Sequence, residues 1–107
     1  MLQIDDLRML CTDETIFLTQ HLQLRMRERG ILYDDVVNAI MTGEVIEQYS
    51  ADYPYPSCLI LGTTLKGSHI HVVCGIGNCL LWVITTYYPS SDKWEADSKT
   101  RKEHTQL

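Results

Sequence analysis

The sequence lacks most features that assign a protein to a class at first reading. It has no basic surplus, because nine lysines and arginines face fourteen acids and leave a net charge of −5, which argues against non-specific attraction to nucleic acid. It has no CxxC or HxxxH pair typical of zinc sites and no basic leader with a long apolar run. The uncharged stretch from Ser68 to Ser91 is too polar to span a membrane. We therefore expect a cytoplasmic protein with reduced cysteines.

Two helices are predicted in the first half of the chain. Hydrophobic residues form 45% of the 107 residues, which suits a single domain with one core. The first helix is expected to begin near Thr12 or Asp13, both good N-cap types, and to end at Gly30. The second should begin at Asp34, where acids favour a helix N-terminus, and end at Gly43.

After Gly43 the helical spacing ends, and Val45, Glu47 and Tyr49 alternate with Ile46, Gln48 and Ser50, which indicates a first strand. Four strands are predicted, at 45–50, 58–64, 69–74 and 80–88, with a turn over Gly75 to Asn78. The short connections between the last three favour antiparallel pairing. The predicted fold is therefore α+β, with two N-terminal helices packed on a four-stranded, mostly antiparallel sheet. The core is expected over about 13–95, followed by a polar tail over 96–107, with Trp94 as an apolar anchor that docks back on the domain.

His21, Arg25 and Arg29 follow one another at four-residue intervals on the first predicted helix. This spacing places them in a row on one helix face. Two guanidinium groups beside an imidazole form a suitable cradle for a phosphate or carboxylate. The alternative is a solvated face with Arg29 near the helix C-terminus, and spacing alone favours that alternative.

His69 and His71 are two residues apart on a predicted strand, so both rings are expected on one face. Such a pair can act as general acid and base or contribute to a metal site. A metal would need further ligands, and only Cys58, Cys74 or Cys79 are candidates. Because sequence supplies only two ligands, we predict no metal and no other cofactor. The alternative is that both rings lie on a half-exposed sheet face.

Tyrosines cluster at the end of the last predicted strand, where Tyr87 and Tyr88 precede Pro89, and Lys93 follows. Tyrosine can stack on nucleobases or donate hydrogen bonds to phosphates. Tyrosine is also an ordinary strand former, and packing explains most of these residues equally well. The candidate substrate-binding residues are His69, Tyr49, Tyr88 and Lys93.

The order of these residues resembles a family of small bacterial proteins that is classified as a domain of unknown function. That family is similar in outline to the RelE/ParE and BrnT toxin-like fold, and its members are often encoded beside a zinc-finger antitoxin-like protein of the MqsA/YgiT kind. The resemblance covers roughly residues 19–101. The shared residues are Thr19, His21, Arg25-Met26, Arg29-Gly30-Ile31, Asp35-Val36, Gly43, Val45-Ile46, Tyr49, Pro56-Ser57, Leu61-Gly62, His71-Val72-Val73, Ile84-Thr85-Thr86-Tyr87, Pro89 and Trp94.

The resemblance implies a RelE-like fold whose concave sheet face holds RNA. It also implies a metal-independent endoribonuclease of a type II toxin–antitoxin system that cuts mRNA, commonly on the ribosome. Transferred to this chain, His21, Arg25 and Arg29 would hold the anion, His71 would act as base or acid, and Tyr87 would donate a proton. The implied partners are a zinc-finger antitoxin-like protein and RNA or the ribosome.

The charge distribution departs from the toxin pattern. Toxins of this fold are usually basic, whereas this chain is acidic and Lys66 is the only formal charge between Tyr53 and Ser91. RNA binding depends on neutralising phosphates. A non-catalytic protein-binding module, which would bind an antitoxin or a regulatory partner, is therefore the alternative function.

Overall fold

Three helices and five strands form the fold in the computed structural model, which describes residues 1–103. In chain order they are α1 (Ile4–Met9), β1 (Ile16–Leu18), α2 (Gln20–Arg29), α3 (Tyr33–Thr42), β2 (Glu44–Tyr49), β3 (Ser57–Thr63), β4 (His69–Gly77) and β5 (Leu80–Tyr87). The predicted α+β class is confirmed. The predicted counts of two helices and four strands are each too small by one. Within residues 1–103, none of the helices has the length and apolar character to cross a membrane.

The five strands form one mixed sheet in the order β1-β5-β4-β3-β2. The neighbours from β2 to β5 are antiparallel, as their hairpin-length connections predict. β1 lies parallel to β5, and Phe17 is in register with Trp82. A bulge at Ile84 of β5 shifts the pairing between β4 and β5 by one residue.

The predicted start of the first long helix at Thr12 or Asp13 is wrong. The chain first forms β1, because Ile16 and Phe17 are good strand formers and find a partner in β5. The helix begins only after Thr19, whose side-chain oxygen accepts a hydrogen bond of 3.0 Å from the Leu22 amide. The predicted end is confirmed, since Gly30 is the C-cap with a left-handed φ of 68°.

The short helix α1 fastens the N-terminus to α3. Leu7 is fully buried in the core. Arg8 donates hydrogen bonds to the carbonyl oxygens of Ile40 at 3.0 Å and Gly43 at 2.8 Å. A cation on the last carbonyl groups of a helix complements its negative end.

All three helices contribute to a core on one face of the sheet. The core includes Leu7, Leu22, Met26, Val36, Ile40, Ile60, Ile70, Val72 and Cys74. Helix α3 approaches β3 so closely that a Cβ added at Gly62 would overlap Ala39. A glycine at this position is therefore required by the packing of α3 on the sheet.

The turn between β4 and β5 is shorter than the predicted turn over Gly75 to Asn78. Strand β4 continues to Gly77, and the chain reverses at Asn78 and Cys79, whose φ angles of 54° and 60° are left-handed. Two consecutive residues with positive φ match the twist of a two-residue hairpin turn.

The chain after β5 folds back over the sheet face that lies opposite the helices. Residues 94–101, which we call the C-terminal strap, form a small loop closed by a bridge between Trp94 and Arg101. Trp94 is buried, so the expectation that it anchors the tail is confirmed. An ion pair of 3.3 Å between Lys99 and Glu44 holds the strap to β2. The part of the predicted tail over 104–107 lies outside the described residues.

Candidate functional site

His71 lies at the centre of the sheet, on the face that the strap covers. Its neighbours Ile70 and Val72 point into the helix-side core, so alternation directs His71 to the opposite face. The side chain is fully buried. The Trp94 ring meets it edge-on at a centroid distance of 4.6 Å, and the Tyr87 ring lies directly across the strand pair at 5.3 Å.

Both ring nitrogens of His71 have polar neighbours. Nε2 lies 2.6 Å from the carbonyl oxygen of Ser98. A carbonyl only accepts hydrogen bonds, so Nε2 carries the proton and Nδ1 of the neutral ring has a free lone pair. The Tyr87 hydroxyl donates toward Nδ1 over a long distance of 3.4 Å.

The environment of His71 favours the neutral imidazole. Burial lowers the pKa of His71, while the Ser98 carbonyl and the negative charge of Glu47 oppose this change. The net direction is downward, so the ring is neutral near pH 7 and the lone pair of Nδ1 is open to a proton donor. Burial raises the pKa of Tyr87, which keeps its hydroxyl protonated as a donor.

Ser98 adopts an unusual backbone conformation for this contact. Its φ is 61°, in the left-handed region that residues with a side chain rarely occupy. The same residue places its Oγ 2.7 Å from Nδ1 of His69. The preceding Asp97 accepts hydrogen bonds from the backbone amides of Lys99 and Thr100, and these bonds lower the pKa of Asp97 to about 2. This turn thus directs Ser98 toward both sheet histidines.

Glu47 and Arg101 form a two-pronged ion pair beside His71. The Nε of Arg101 lies 2.7 Å from one carboxylate oxygen and Nη2 lies 2.9 Å from the other. Tyr49 donates a 2.6 Å hydrogen bond to the same carboxylate. The bond from Arg101 holds the pKa of Glu47 below its usual value, while burial and the bond to Glu47 raise that of Tyr49 to about 12. Arg101 also stacks over the Trp94 ring at 4.5 Å.

The predicted row of His21, Arg25 and Arg29 lies on the exposed face of α2, on the helix side of the sheet. Arg25 pairs with Glu28 at 3.2 Å. Arg29 donates a 2.9 Å hydrogen bond to the carbonyl oxygen of Thr86. Thr86 belongs to the part of β5 that extends past its pairing with β1. The structure therefore brings His71 and Tyr87 together but places the row in the other layer.

The predicted substrate-binding residues are divided in the same way. His69 and Tyr49 lie on the His71 face, next to the strap. The Tyr88 hydroxyl is 3.5 Å from the carbonyl oxygen of Gly30, so Tyr88 faces the end of α2. Lys93 is exposed immediately before the strap.

The cysteines weighed as zinc ligands do not join the two histidines. Cys58 and Cys74 are directly opposite each other in the strand pairing and point into the helix-side core. Cys79 is exposed in the turn between β4 and β5. Among residues 1–103, no group of three or more His, Cys, Asp or Glu side chains is arranged to hold a metal ion.

Sequence reasoning missed Glu47, Ser98 and Arg101 as members of the site. Alternation along β2 was a usable signal for Glu47, because it shares a face with Tyr49. No local pattern identified Ser98 or Arg101, which belong to a segment that reads as a polar tail. Their positions depend on the docking of Trp94 on the sheet.

A buried, carbonyl-bound histidine beside a tyrosine and an Arg–Glu pair defines a site suited to acid–base chemistry. A family model described as "Domain of unknown function (DUF4258)" matches residues 18–88. The match spans more than half of the chain, so the chain belongs to this family, which confirms the expected family of unknown function. The match includes Glu47, His71 and Tyr87 and ends before the strap. No match was found to a curated protein or to a solved structure. The implied toxin activity and zinc-finger partner stay predictions.

Proposed function

We propose that this chain is a metal-independent endoribonuclease whose reaction centre is Tyr87 and His71, with Arg101 as the cation for the phosphate. The supporting observation is the orientation of His71, whose Nε2 is held by the Ser98 carbonyl so that Nδ1 faces the Tyr87 hydroxyl. A base whose second nitrogen is fixed by an acceptor is a recurring arrangement in general base catalysis. The sequence resemblance to the RelE-like toxins gives the substrate class.

The proton would pass through Tyr87, because His71 is fully buried whereas Tyr87 is only half-buried. Tyr87 gives its proton to Nδ1 of His71 and takes up the proton of a ribose 2′-hydroxyl. The 2′-oxygen then bonds to phosphorus, and the bond from phosphorus to the 5′-oxygen breaks. The 5′-oxygen takes a proton from water, and His71 returns its proton to the hydroxide. The products are a 2′,3′-cyclic phosphate and a 5′-hydroxyl.

Arg101 would stabilise the negative charge that develops on the phosphate. Glu47 engages its Nε and Nη2, so Nη1 is left for a phosphate oxygen. Glu47 and the Trp94 ring hold the guanidinium in place before substrate arrives, and a preorganised cation is the effective kind in catalysis. A site with one oriented arginine is compatible with an acidic protein.

The test is cleavage of single-stranded RNA by the purified chain, with and without ribosomes, in the presence of EDTA. We expect products with cyclic phosphate and 5′-hydroxyl ends, and no cleavage of the 2′-deoxy strand of the same sequence. Tyr87→Phe should lower the rate roughly 10²- to 10⁴-fold, the usual contribution of a positioned acid–base group. His71→Gln should have a similar effect.

The matched control is His21→Ala, which removes an exposed imidazole from the other layer of the fold. It should cleave like the wild type. Tyr87→Phe retains the ring that packs on His71, so a loss of activity in a variant with unchanged melting temperature would reflect the hydroxyl. Intact RNA under all conditions would overturn the proposal and favour the non-catalytic protein-binding module.

A further inference from the structure

An open aromatic groove lies on the same sheet face as His71, outside the area that the strap covers. Tyr53 and Tyr55 of the β2–β3 loop form one wall, Trp82 and Ile84 of β5 form the other, and Gly75 lies at the floor. The cavity has a volume of about 560 Å³, within the range of small-molecule sites. Tyr53 is 95% exposed, so its ring is accessible to a ligand.

Alternation places this groove and His71 on one face. Gly75 follows His71 by four residues on β4, and Trp82 is paired with Gly75. Four residues along a strand span roughly 13 Å. A short single-stranded segment could therefore contact the groove and the Tyr87–His71 pair together.

Glycines in β4 allow the loop to close on the sheet and form the groove. A Cβ at Gly77 would overlap the ring of Tyr55, and a Cβ at Gly75 would overlap the carbonyl oxygen of Pro56. The Trp82 ring packs against Phe17, at a centroid distance of 4.6 Å, and near Tyr55, at 6.2 Å. The groove thus presents the flat ring of Trp82, which its neighbours fix in place, together with the exposed ring of Tyr53, and such rings are stacking platforms for bases.

The polar groups of the groove favour a ligand with N–H donors. The Nε1 of Trp82 already donates a 2.8 Å hydrogen bond to the Gly77 carbonyl. Asp52 lines the groove and accepts a hydrogen bond from Ser57 through Oδ2. In the described part of the chain its Oδ1 has no partner. The lining contains no lysine or arginine, so a neutral ring with N–H groups fits better than a phosphate.

We propose that this groove binds a nucleobase of the RNA substrate, specifically guanine, stacked on Trp82 with its N–H groups directed at Asp52. Guanine carries adjacent N–H donors at N1 and N2, which a carboxylate can accept. This inference rests on the proposed function for its choice of RNA, and it assigns a base preference to the same face.

The test uses free nucleosides, which carry no phosphate. Binding is followed by the shifts of the Trp82 indole N–H and the Gly75 amide in NMR spectra. Guanosine should give saturable shifts, with weaker binding of adenosine and cytidine. Tyr53→Ala and Trp82→Ala should each weaken guanosine binding on the order of ten- to a hundredfold, the usual effect of losing a stacking ring. Asp52→Asn should remove the preference for guanosine.

Two controls separate this inference from the proposed function. His71→Gln should bind guanosine like the wild type, because it leaves the groove intact. Asp92→Asn, an exposed acid away from the groove, should keep the preference for guanosine.

RNA cleavage with no guanosine binding would overturn the groove assignment alone, while guanosine binding without cleavage would overturn only the proposed endoribonuclease activity. Saturable binding of a proline-rich peptide instead of nucleosides would also overturn the assignment. A loss of guanosine binding in Tyr53→Ala would not reflect misfolding, since the Tyr53 ring is almost fully exposed.

Discussion

The carbonyl oxygen of Ser98 lies 2.6 Å from Nε2 of His71, although the two residues are separated by 27 positions in the chain. This contact fixes the tautomer of the His71 ring, which lies on the central strand. Ser98 itself lies outside the residues that the family model matches. The strap is therefore part of the site, because it orients His71 through Ser98 and carries Arg101.

The first prediction concerns the pH dependence of stability. Burial lowers the pKa of folded His71 below the unfolded value of about 6.5. The contribution of neutral His71 to the free energy of unfolding is complete above about pH 6.5. It declines below this pH, because the unfolded chain then binds a proton that the folded chain resists. The pKa of Glu47 is also lowered, but its contribution is lost only below about pH 4.5.

Chemical denaturation between about pH 5 and pH 8 measures this effect. The free energy of unfolding should fall toward pH 5 in the wild type and fall less in His71→Gln. His21→Gln, on the exposed face of α2, should retain the wild-type decline. A wild-type curve that is flat over this range would contradict the burial argument.

The second prediction compares two basic residues of the strap. Arg101→Ala removes the paired hydrogen bonds to Glu47 and the stacking on Trp94. Because its side chain is 56% exposed, we expect a loss of only about 1 kcal/mol. Lys99→Ala breaks one exposed ion pair with Glu44 and should cost less than about 0.5 kcal/mol.

Strap opening can be followed by Trp94 fluorescence and hydrogen exchange. Arg101→Ala should shift the Trp emission to longer wavelength and speed exchange at residues 94–101, whereas Lys99→Ala should change neither. Equal effects of both variants would show that the strap is held by general charge attraction and not by the contact with Glu47 and Trp94.

The third prediction concerns the arginine row of α2. Arg29→Met removes a hydrogen bond to the Thr86 carbonyl, and we expect a loss of about 1 kcal/mol. Arg25→Met removes only an exposed pair with Glu28 and should cost less than about 0.5 kcal/mol. Both variants should keep RNA cleavage, because the row lies on the helix side. If Arg25→Met alone abolished cleavage, the anion site would lie on α2 and the proposed centre would be wrong.

The fourth prediction concerns the approach of α3 to the sheet. Gly62→Ala introduces a Cβ that overlaps Ala39, so either the helix or the strand must move. We expect a loss of about 1–3 kcal/mol in thermal or urea unfolding. Lys66→Ala, on the exposed turn that follows the same strand, should change stability by less than about 0.5 kcal/mol. Similar values for the two variants would contradict the close packing.

Much of the secondary structure was predictable because its causes are local. Helix α3 follows from its acidic first turn and from the spacing of Val36 and Ile40. Strand β2 follows from alternation, and β3 and β5 follow from short apolar runs bounded by turn residues. The strand β1 was not predictable, because three residues are too few for a periodic signal. In addition, Thr12 and Asp13 are residue types that favour a helix N-cap, so they predicted a helix where β1 forms.

The sequence by itself determined the α+β class, the strand face that carries His71, and the pairing of strands through short turns. These features depend on residues that are close in the chain. Only the tertiary structure decided that Ser98 and Arg101 reach His71, and that Arg25 does not. The reason is that burial of Trp94 on the sheet positions the strap, whereas packing of Leu22 and Met26 commits α2 to the opposite face. Such long-range burial leaves no local pattern in the polar residues it brings together.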